Sequence, residues 1–548
     1  MTTRQTGPDA STRPPTVRVR SAADRLRAFV RSRVVVDARS LALFRMLAGV
    51  LIVADVLARS RNLTFFYTDD GVVPHDLAVA AEPMAAYSVY ALASTPAATA
   101  VLFALTGLVG VALAAGYYTR IATVLAFVLV VSLDLRNPFV TSFADTLFMT
   151  LLFLAIFLPL GERWSVDAVA GGRQRRDAVA SVGTALVLAQ MVTMYAVNGY
   201  HKTASELWWS GEAAALILGI DEMTFLFGDA LRISPTLLQL GGLTWFGMLL
   251  GSWLLLALRD RPRHLLVTAF VIAHLSMALT VRIGAFSYVC LAGLLLFYQP
   301  SAWRDAAALR QRIAARSTAA ATVGRRFIGL RDHAARVAQR VPRPVLSPVR
   351  RLPRLQRRVS GVTRREAGTA VAAAAVIALA ATASLSAVGV VADDTPESEL
   401  SDGATALVEF QTDWSIFAPN PRTSDRYYVF PARTTDGEVI DVRNDRELTY
   451  DRPYDELQRQ HGTYRERFYM GSLRSVDGAV ADRLADHLCA TYESGSGASI
   501  THLNMYAVDE EITWETIDDH EHRDRDVHLL SRHGCDGENP TMIEPPTD

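Results

Sequence analysis

The sequence predicts an all-α polytopic membrane bundle of about nine transmembrane helices, followed by a mostly-β extracytoplasmic domain. Three observations predict it: long apolar runs recur up to residue 392, arginine crowds the loops between them, and carboxylates crowd the residues that follow. Half of the 548 residues are apolar, and 55 Lys+Arg stand against 56 Asp+Glu, so a net charge near zero hides an uneven distribution. That distribution bears on topology more than on partners, and no nucleic-acid partner is expected.

Residues 1–37 are polar and Arg-rich, with Pro8, Pro14 and Pro15. They read as a disordered basic cytoplasmic arm rather than a cleavable signal peptide. A helix needs about 20 apolar residues to cross the hydrocarbon core. Runs of that kind lie at roughly 40–58, 97–116, 121–134, 144–161, 178–200, 236–258, 264–281 and 284–299, giving a transmembrane domain over 38–299. An Arg-rich cytoplasmic linker over 300–366 leads to one more candidate helix at 367–392, nearly all Ala and Val, which suits a tether or a closely packed span. With the N-terminus inside, every inside segment is basic: the turn at Arg120, the loop with Arg163, Arg173, Arg175 and Arg176, the loop with Arg259, Arg261 and Arg263, and the linker with Arg350, Arg351, Arg357 and Arg358. The positive-inside rule demands this, and an odd number of spans then places residues 393–548 outside the cell membrane. The linker itself reads either as lying on the anionic inner leaflet or as a solvated segment.

In the acidic tail, Arg426–Arg433 and Glu438–Val442 read as strands around the hairpin signal Asp436-Gly437, Ile500–Val508 and Glu511–Glu515 as further strands, and the stretch near 477–489 as a helix. Of three cysteines, Cys290 falls in an apolar run; Cys489 and Cys535 lie in the tail, as one disulfide if it is extracytoplasmic or else as two unpaired thiols. No spacing resembles a zinc site or a redox CxxC, so no metal is expected.

Ionisable residues inside a membrane are costly and mark candidate sites. Arg45 and Asp55 fall in the first span, Asp145 at the start of the fourth, His274 in the seventh and Arg282 at the turn after it. Arg45 and Asp55 are expected to hold the bundle together. Lys202, at the outer end of the fifth span, stands apart as the sole lysine in the chain. Arginine does not deprotonate in a protein, whereas a desolvated lysine serves as a base or nucleophile, so a site needing a removable proton refuses the arginine swap. The bland alternative is an interfacial anchor that snorkels. Gln190, Tyr195 and Asn198 precede Lys202 at near-helical spacing, and Trp208, Trp209 and Gly211 follow it. Such a polar face means either helix–helix hydrogen bonds or a cavity, and the tryptophans either anchor at the interface or wall an aromatic pocket. His201 faces away on a helix, and His274 reads more readily as a hydrogen-bonded core histidine than as a ligand.

At these residues the sequence resembles the vitamin K-dependent gamma-glutamyl carboxylase family and its prokaryotic relatives with the horizontally transferred transmembrane (HTTM) domain. The matching blocks are Ser40-Leu41-Ala42-Leu43-Phe44-Arg45 with Gly49 and Asp55; Trp164-Ser165-Val166-Asp167; Gln190, Tyr195, Gly199 and Lys202 with Trp208 or Trp209 and Gly211; and Ile283-Gly284-Ala285-Phe286-Ser287-Tyr288. Their order over residues 40–299 carries the resemblance, and the tail adds Trp414-Ser415-Ile416-Phe417-Ala418-Pro419-Asn420-Pro421, a motif associated with prokaryotic relatives.

The resemblance implies that Lys202 is the base that deprotonates a reduced quinone, vitamin K hydroquinone in animals and menaquinol in a prokaryote. The quinol anion reacts with O2 towards an epoxide, a strongly basic oxygenated intermediate takes a γ-proton from a peptide glutamate, and the carbanion captures CO2. The cofactors so implied are a quinol from the membrane lipid, O2 and CO2, the partner an exported protein or peptide bearing glutamates, and the activity that of a lyase coupled to quinol epoxidation. Tyr195, Asn198, Trp208 and His274 are the expected quinol-pocket residues. Two departures bear on carboxylation: Asn137-Pro138 stands where the animal enzymes have an asparagine and then a histidine, and His201 replaces a second lysine. A quinone-linked oxidoreductase without carboxylation, and a non-enzymatic scaffold displaying the β domain, remain as alternatives.

Overall fold

The computed structural model describes residues 22–171, 176–316, 414–474, 478–492 and 497–543. Most of the N-terminal arm, Arg173 and Arg175, most of the 300–366 linker and the expected helix at 367–392 lie outside the described residues.

Each of the eight expected runs in 38–299 contains a helix, and the bounds differ where physics beyond hydropathy acts. The first is Ala38–Ser60, capped by the Asp37 carboxylate, and the second is Pro96–Ala115. They cross closely because both carry glycine: a Cβ on Gly49 would sit 2.4 Å from the Gly110 carbonyl oxygen. The third runs Thr119–Arg136, longer than its apolar core at both ends. Asp167, from the Trp164–Asp167 block, caps its start by accepting from Tyr118 N (3.0 Å) and Thr119 N (2.8 Å). Ion pairs of Asp134 with Arg59 and of Arg136 with Asp69 carry it past its charged end.

Two spans are shorter than expected. The fourth helix stops at Ala155 and continues as turns to Leu160, and the eighth is only Phe286–Leu295. The sixth is interrupted, Pro235–Leu250 then Leu254–Ala257, by a turn at Gly251. Among the described residues, four helices, Ala38–Ser60, Pro96–Ala115, Val182–Lys202 and Asp260–Thr280, are long and apolar enough to cross a membrane unaided. Between the fifth and sixth runs the chain forms three short helices, Glu206–Ser210, Ala213–Gly219 and Gly228–Arg232.

The basic segments gather at one end of the bundle. Arg33 Nε donates to Ala257 O (3.1 Å), Arg263 Nη1 to Arg33 O (2.6 Å), and Trp303 Nε1 to Ser40 Oγ (3.0 Å). There β1 (Val36–Asp37) pairs with β2 (Ala178–Val179), fastening the start of the first helix to that of the fifth.

The tail sits at the other end. Its strands are β3 (Ser424–Val429), β4 (Pro431–Thr434), β5 (Val439–Asp441), β6 (Arg446–Glu447), β7 (Ile500–Glu511) and β8 (Arg525–Gly534), all pairing antiparallel. The long central β7 takes β3 and β4 along one edge and β8 along the other. The β4–β5 hairpin turns at Asp436-Gly437 as expected, with Gly437 at φ +88°. The helix expected near 477–489 is Ala479–Thr491, and the Cys489–Cys535 disulfide ties it to the residue after β8. Cys290 is a buried free thiol.

Glu511–Glu515 is not a strand. β7 ends at Glu511, Thr513 N donates to Thr516 Oγ1 (2.9 Å) in a turn, and Ile512 packs on Ala215 and Leu216 of the bundle. Its alternation reports docking, not pleating. Bundle and tail share apolar cores: Phe66, Tyr67, Val73 and Val140 pack with Tyr428, Tyr469 and Leu484, and Trp414 belongs to the main core of the bundle. Gly284, at φ +62°, belongs to the same docking, since a Cβ there would overlap the Tyr464 ring.

Candidate functional site

The helix Val182–Lys202 carries the site. Ser181 opens it with a reciprocal capping box to Thr184, and neighbours press on both of its glycines, Phe157 O on Gly183 and Leu249 on Gly199. Lys202 is its last residue and is 1% exposed. Its Nζ donates to Ile416 O (2.5 Å) and Phe417 O (3.2 Å) and lies 4.2 Å from the centre of the Trp208 ring. Among the described residues it forms no ion pair with a carboxylate. A buried amine is therefore held by neutral carbonyls and an aromatic face.

Lys202 lines a cavity of about 1020 Å³. Tyr195, Asn198, Trp208, Trp245 and Phe286 share its wall, as do Trp414–Ala418 of the tail. Leu237, Leu240 and Ile272 also line it and are themselves exposed on the flank of the bundle, so the cavity reaches the surface between Pro235–Leu250 and Asp260–Thr280. Its mostly apolar wall with a few converging donors is the make-up of a small-molecule site.

The residues expected around Lys202 separate into layers. Asn198 is beside it and donates through Nδ2 to Trp414 O (2.7 Å) and Ile416 O (2.9 Å). Trp208 donates through Nε1 to Phe417 O (3.1 Å). Trp209 points outward, 46% exposed, and bonds Thr203 O instead. Tyr195 contributes ring to the cavity while its hydroxyl meets His274 Nε2 at 2.8 Å. His274 stands behind the wall, packed by Trp245 and Phe286, and is the hydrogen-bonded core histidine of the bland reading rather than a cavity residue. His201 stacks edge-on against Tyr200 and, like Gln190, does not line the cavity.

Arg45 and Asp55 serve separate purposes. Arg45, fully buried, donates to the carbonyls of Leu160 (3.4 Å) and Trp164 (2.5 Å), pinning the loop after the fourth helix. Asp55 pairs with Arg59 (2.8 Å) and with Arg465 of the tail (2.6 Å). Arg465 also grips Asp145 through both nitrogens (2.7 and 2.8 Å), and Arg59 reaches Asp134 and Asp145. Two guanidiniums and three carboxylates thus form a buried cluster across the junction. Arg282 adds a further link, donating to Gln458 O (2.8 Å).

Sequence reasoning missed the tail's share of both sites. Arg465 lies on the helix Tyr464–Ser472, whose start is legible as Thr463 capping Glu466 N. The strap carbonyls leave no mark in side-chain identity, although the Trp414–Pro421 motif flags their position. A second charged group, Glu222, is 3% exposed between Ala213–Gly219 and Gly228–Arg232. Burial pushes its carboxyl up, but the Arg422 guanidinium, the neighbouring His461 ring and the Arg467 guanidinium outweigh this and hold it well below the usual range.

Residues 34–303 match the HTTM domain. This is the domain of vitamin K-dependent carboxylase family members, and it covers the bundle helices that shape the cavity, while the tail adds Trp414–Ala418 and the helix Tyr464–Ser472. The HTTM match and the apolar helices together mark a membrane protein related to that family. No curated protein and no solved structure matches the chain.

Proposed function

We propose that the chain is a membrane enzyme that acts on a reduced quinone drawn from the bilayer, with Lys202 as the base of the site. The single observation that carries this reading is the burial of the sole lysine in the wall of an apolar cavity that reaches the flank of the bundle. The fit is favourable: about 1020 Å³ accommodates a fused ring with part of an isoprenoid tail, and Trp208, Trp245 and Phe286 offer aromatic faces. When bound, a quinol supplies an acidic hydroxyl and reducing electrons for O2. The chain's own part is narrower. The aromatic wall excludes water, Asn198 and Trp208 hold the surroundings of Lys202 in place, and Lys202 accepts a hydroxyl proton with no acid among the described residues paired with it to compete.

Carboxylation of protein glutamate with CO2 is the fuller outcome that the resemblance implies, and the tail, set outside the cell membrane, would present the exported substrate. One observation favours the narrower reading, quinol oxidation without carboxylation. Asn137 is committed to structure, donating to Phe66 O (3.0 Å) and accepting from Phe139 N (3.1 Å), and Pro138 begins a short turn where the animal enzymes carry histidine.

The test is quinone epoxide formation in membranes holding the wild type or Lys202→Ala, supplied with menaquinol and oxygen and quantified by mass spectrometry against empty membranes. Epoxide that depends on Lys202 supports the reading. None from folded wild-type protein overturns the oxygenation step.

A further inference from the structure

A piece of the tail enters the bundle and closes over the end of the lysine helix. Trp414 is buried in the same core as Met191 and Tyr195, and the strap Trp414–Phe417 that follows offers its backbone to three donors. Asn198 Nδ2 donates to Trp414 O and Ile416 O, Lys202 Nζ to Ile416 O and Phe417 O, and Trp208 Nε1 to Phe417 O. The Ile416 carbonyl is shared: Asn198 holds it at 2.9 Å and Lys202 at 2.5 Å. Asn198 thus fixes, through one backbone oxygen, where the lysine nitrogen sits.

The arrangement suits a group that changes protonation. A neutral lysine amine has two N–H groups, matched by the two strap carbonyls; an ammonium has a third, for which the face of Trp208 is the remaining neighbour. Carbonyls accept hydrogens and cannot occupy a lone pair, so the strap takes up the nitrogen's donors and leaves its basic electron pair free. A carboxylate in the same place would hold the proton instead.

We propose that Asn198 is a positioning residue for Lys202 that acts through the Trp414–Phe417 strap, so that the C-terminal domain completes the membrane site. The inference rests on reading Lys202 as the proton-handling group of the cavity, but its test needs no quinol. Because Lys202 is the sole lysine, an amine-reactive reagent reports on it and on the N-terminal amine alone, and the two fall on different peptides.

The full chain in lipid nanodiscs is treated with a short acylating reagent across a range of pH, and modification of Lys202 is quantified by mass spectrometry. The wild type labels slowly. Asn198→Ala frees the strap and raises the rate about tenfold, in line with two lost hydrogen bonds, and displaces the pH midpoint of the profile. Asn198→Gln, which keeps the amide, moves both back towards wild type. Trp208→Phe, which removes only the bond to Phe417 O, moves the profile the same way by less, and decides the matter if Asn198→Ala does not fold. Rates and midpoints equal to wild type in the folded variants overturn the inference, as does an Asn198→Gln profile no closer to wild type than that of Asn198→Ala. A strap-dependent lysine in a protein without quinol turnover would keep this inference and sink the proposed function; turnover with a strap-independent lysine would do the reverse.

Discussion

The tail meets the bundle at two buried polar junctions built on opposite rules. Around Arg465, charge meets charge: two guanidiniums interlock with Asp55, Asp134 and Asp145 at hydrogen-bonding distance. Around Lys202, a cation-forming group meets, among the described residues, backbone carbonyls and an indole face, beside a large cavity. The first arrangement makes separation of the parts costly. The second leaves one nitrogen satisfied yet free to exchange a proton, which is what a reactive amine requires. A buried charge with partners of opposite sign argues for architecture, whereas a buried amine among neutral acceptors argues for chemistry.

The contrast breaks most readily at Arg465. Arg465→Ala takes a partner from Asp55 and Asp145, leaves Arg59 as the one guanidinium facing three carboxylates, and is expected to cost about 3–5 kcal/mol, read as a lower Tm in detergent and faster proteolysis of the tail. A variant that melts like wild type would show the cluster to be ornamental. Next in size is Lys202→Met, expected to cut epoxide formation at least about 100-fold while Tm changes little, because no counter-ion is left behind. A large loss of Tm would mean that the lysine is as architectural as Arg465.

Glu222→Gln tests an ion pair of intermediate kind, since Arg422 keeps some access to solvent. The expected cost is about 2 kcal/mol at neutral pH. The folded carboxyl lies well below its unfolded value, so the stabilisation is fully present above about pH 4.3 and is lost as pH falls through the folded pKa. The gap in Tm between wild type and variant should therefore be flat from neutral to mildly acidic pH and close only in strong acid; a gap that closes near neutrality would contradict the assignment. The smallest effect belongs to Trp208→Phe, about 1 kcal/mol, since it removes one hydrogen bond and keeps a ring beneath Lys202.

Much of this was legible in the chain itself. The apolar runs locate the helices of residues 38–299, and the lone lysine with Asn198, Tyr195 and Trp208 marks the cavity wall, because burial and polarity at helical spacing are properties of side chains. The bounds of the fourth, sixth and eighth runs were not, since Gly251 and the tight turns after Ala155 and Leu295 end helices that hydropathy alone would continue. β8 escaped notice because an exposed edge strand of Arg, Asp and His residues has little apolar alternation to display. The strap escaped for a deeper reason: its contribution is made by carbonyl oxygens, which every residue has.

The same interlocking has a consequence for how the protein is made. Arg465 follows Asp145 by 320 residues, so the carboxylates of the first, third and fourth helices enter the membrane long before their partner has been synthesised. Until the tail arrives, Arg59 stands alone among them, and the aromatic loops around Phe66 and Tyr67 lack the surface they will pack on. Biogenesis therefore ends in a docking step rather than with insertion of the last helix, and a chain cut short before residue 414 would be left as an open bundle, a substrate for membrane quality control.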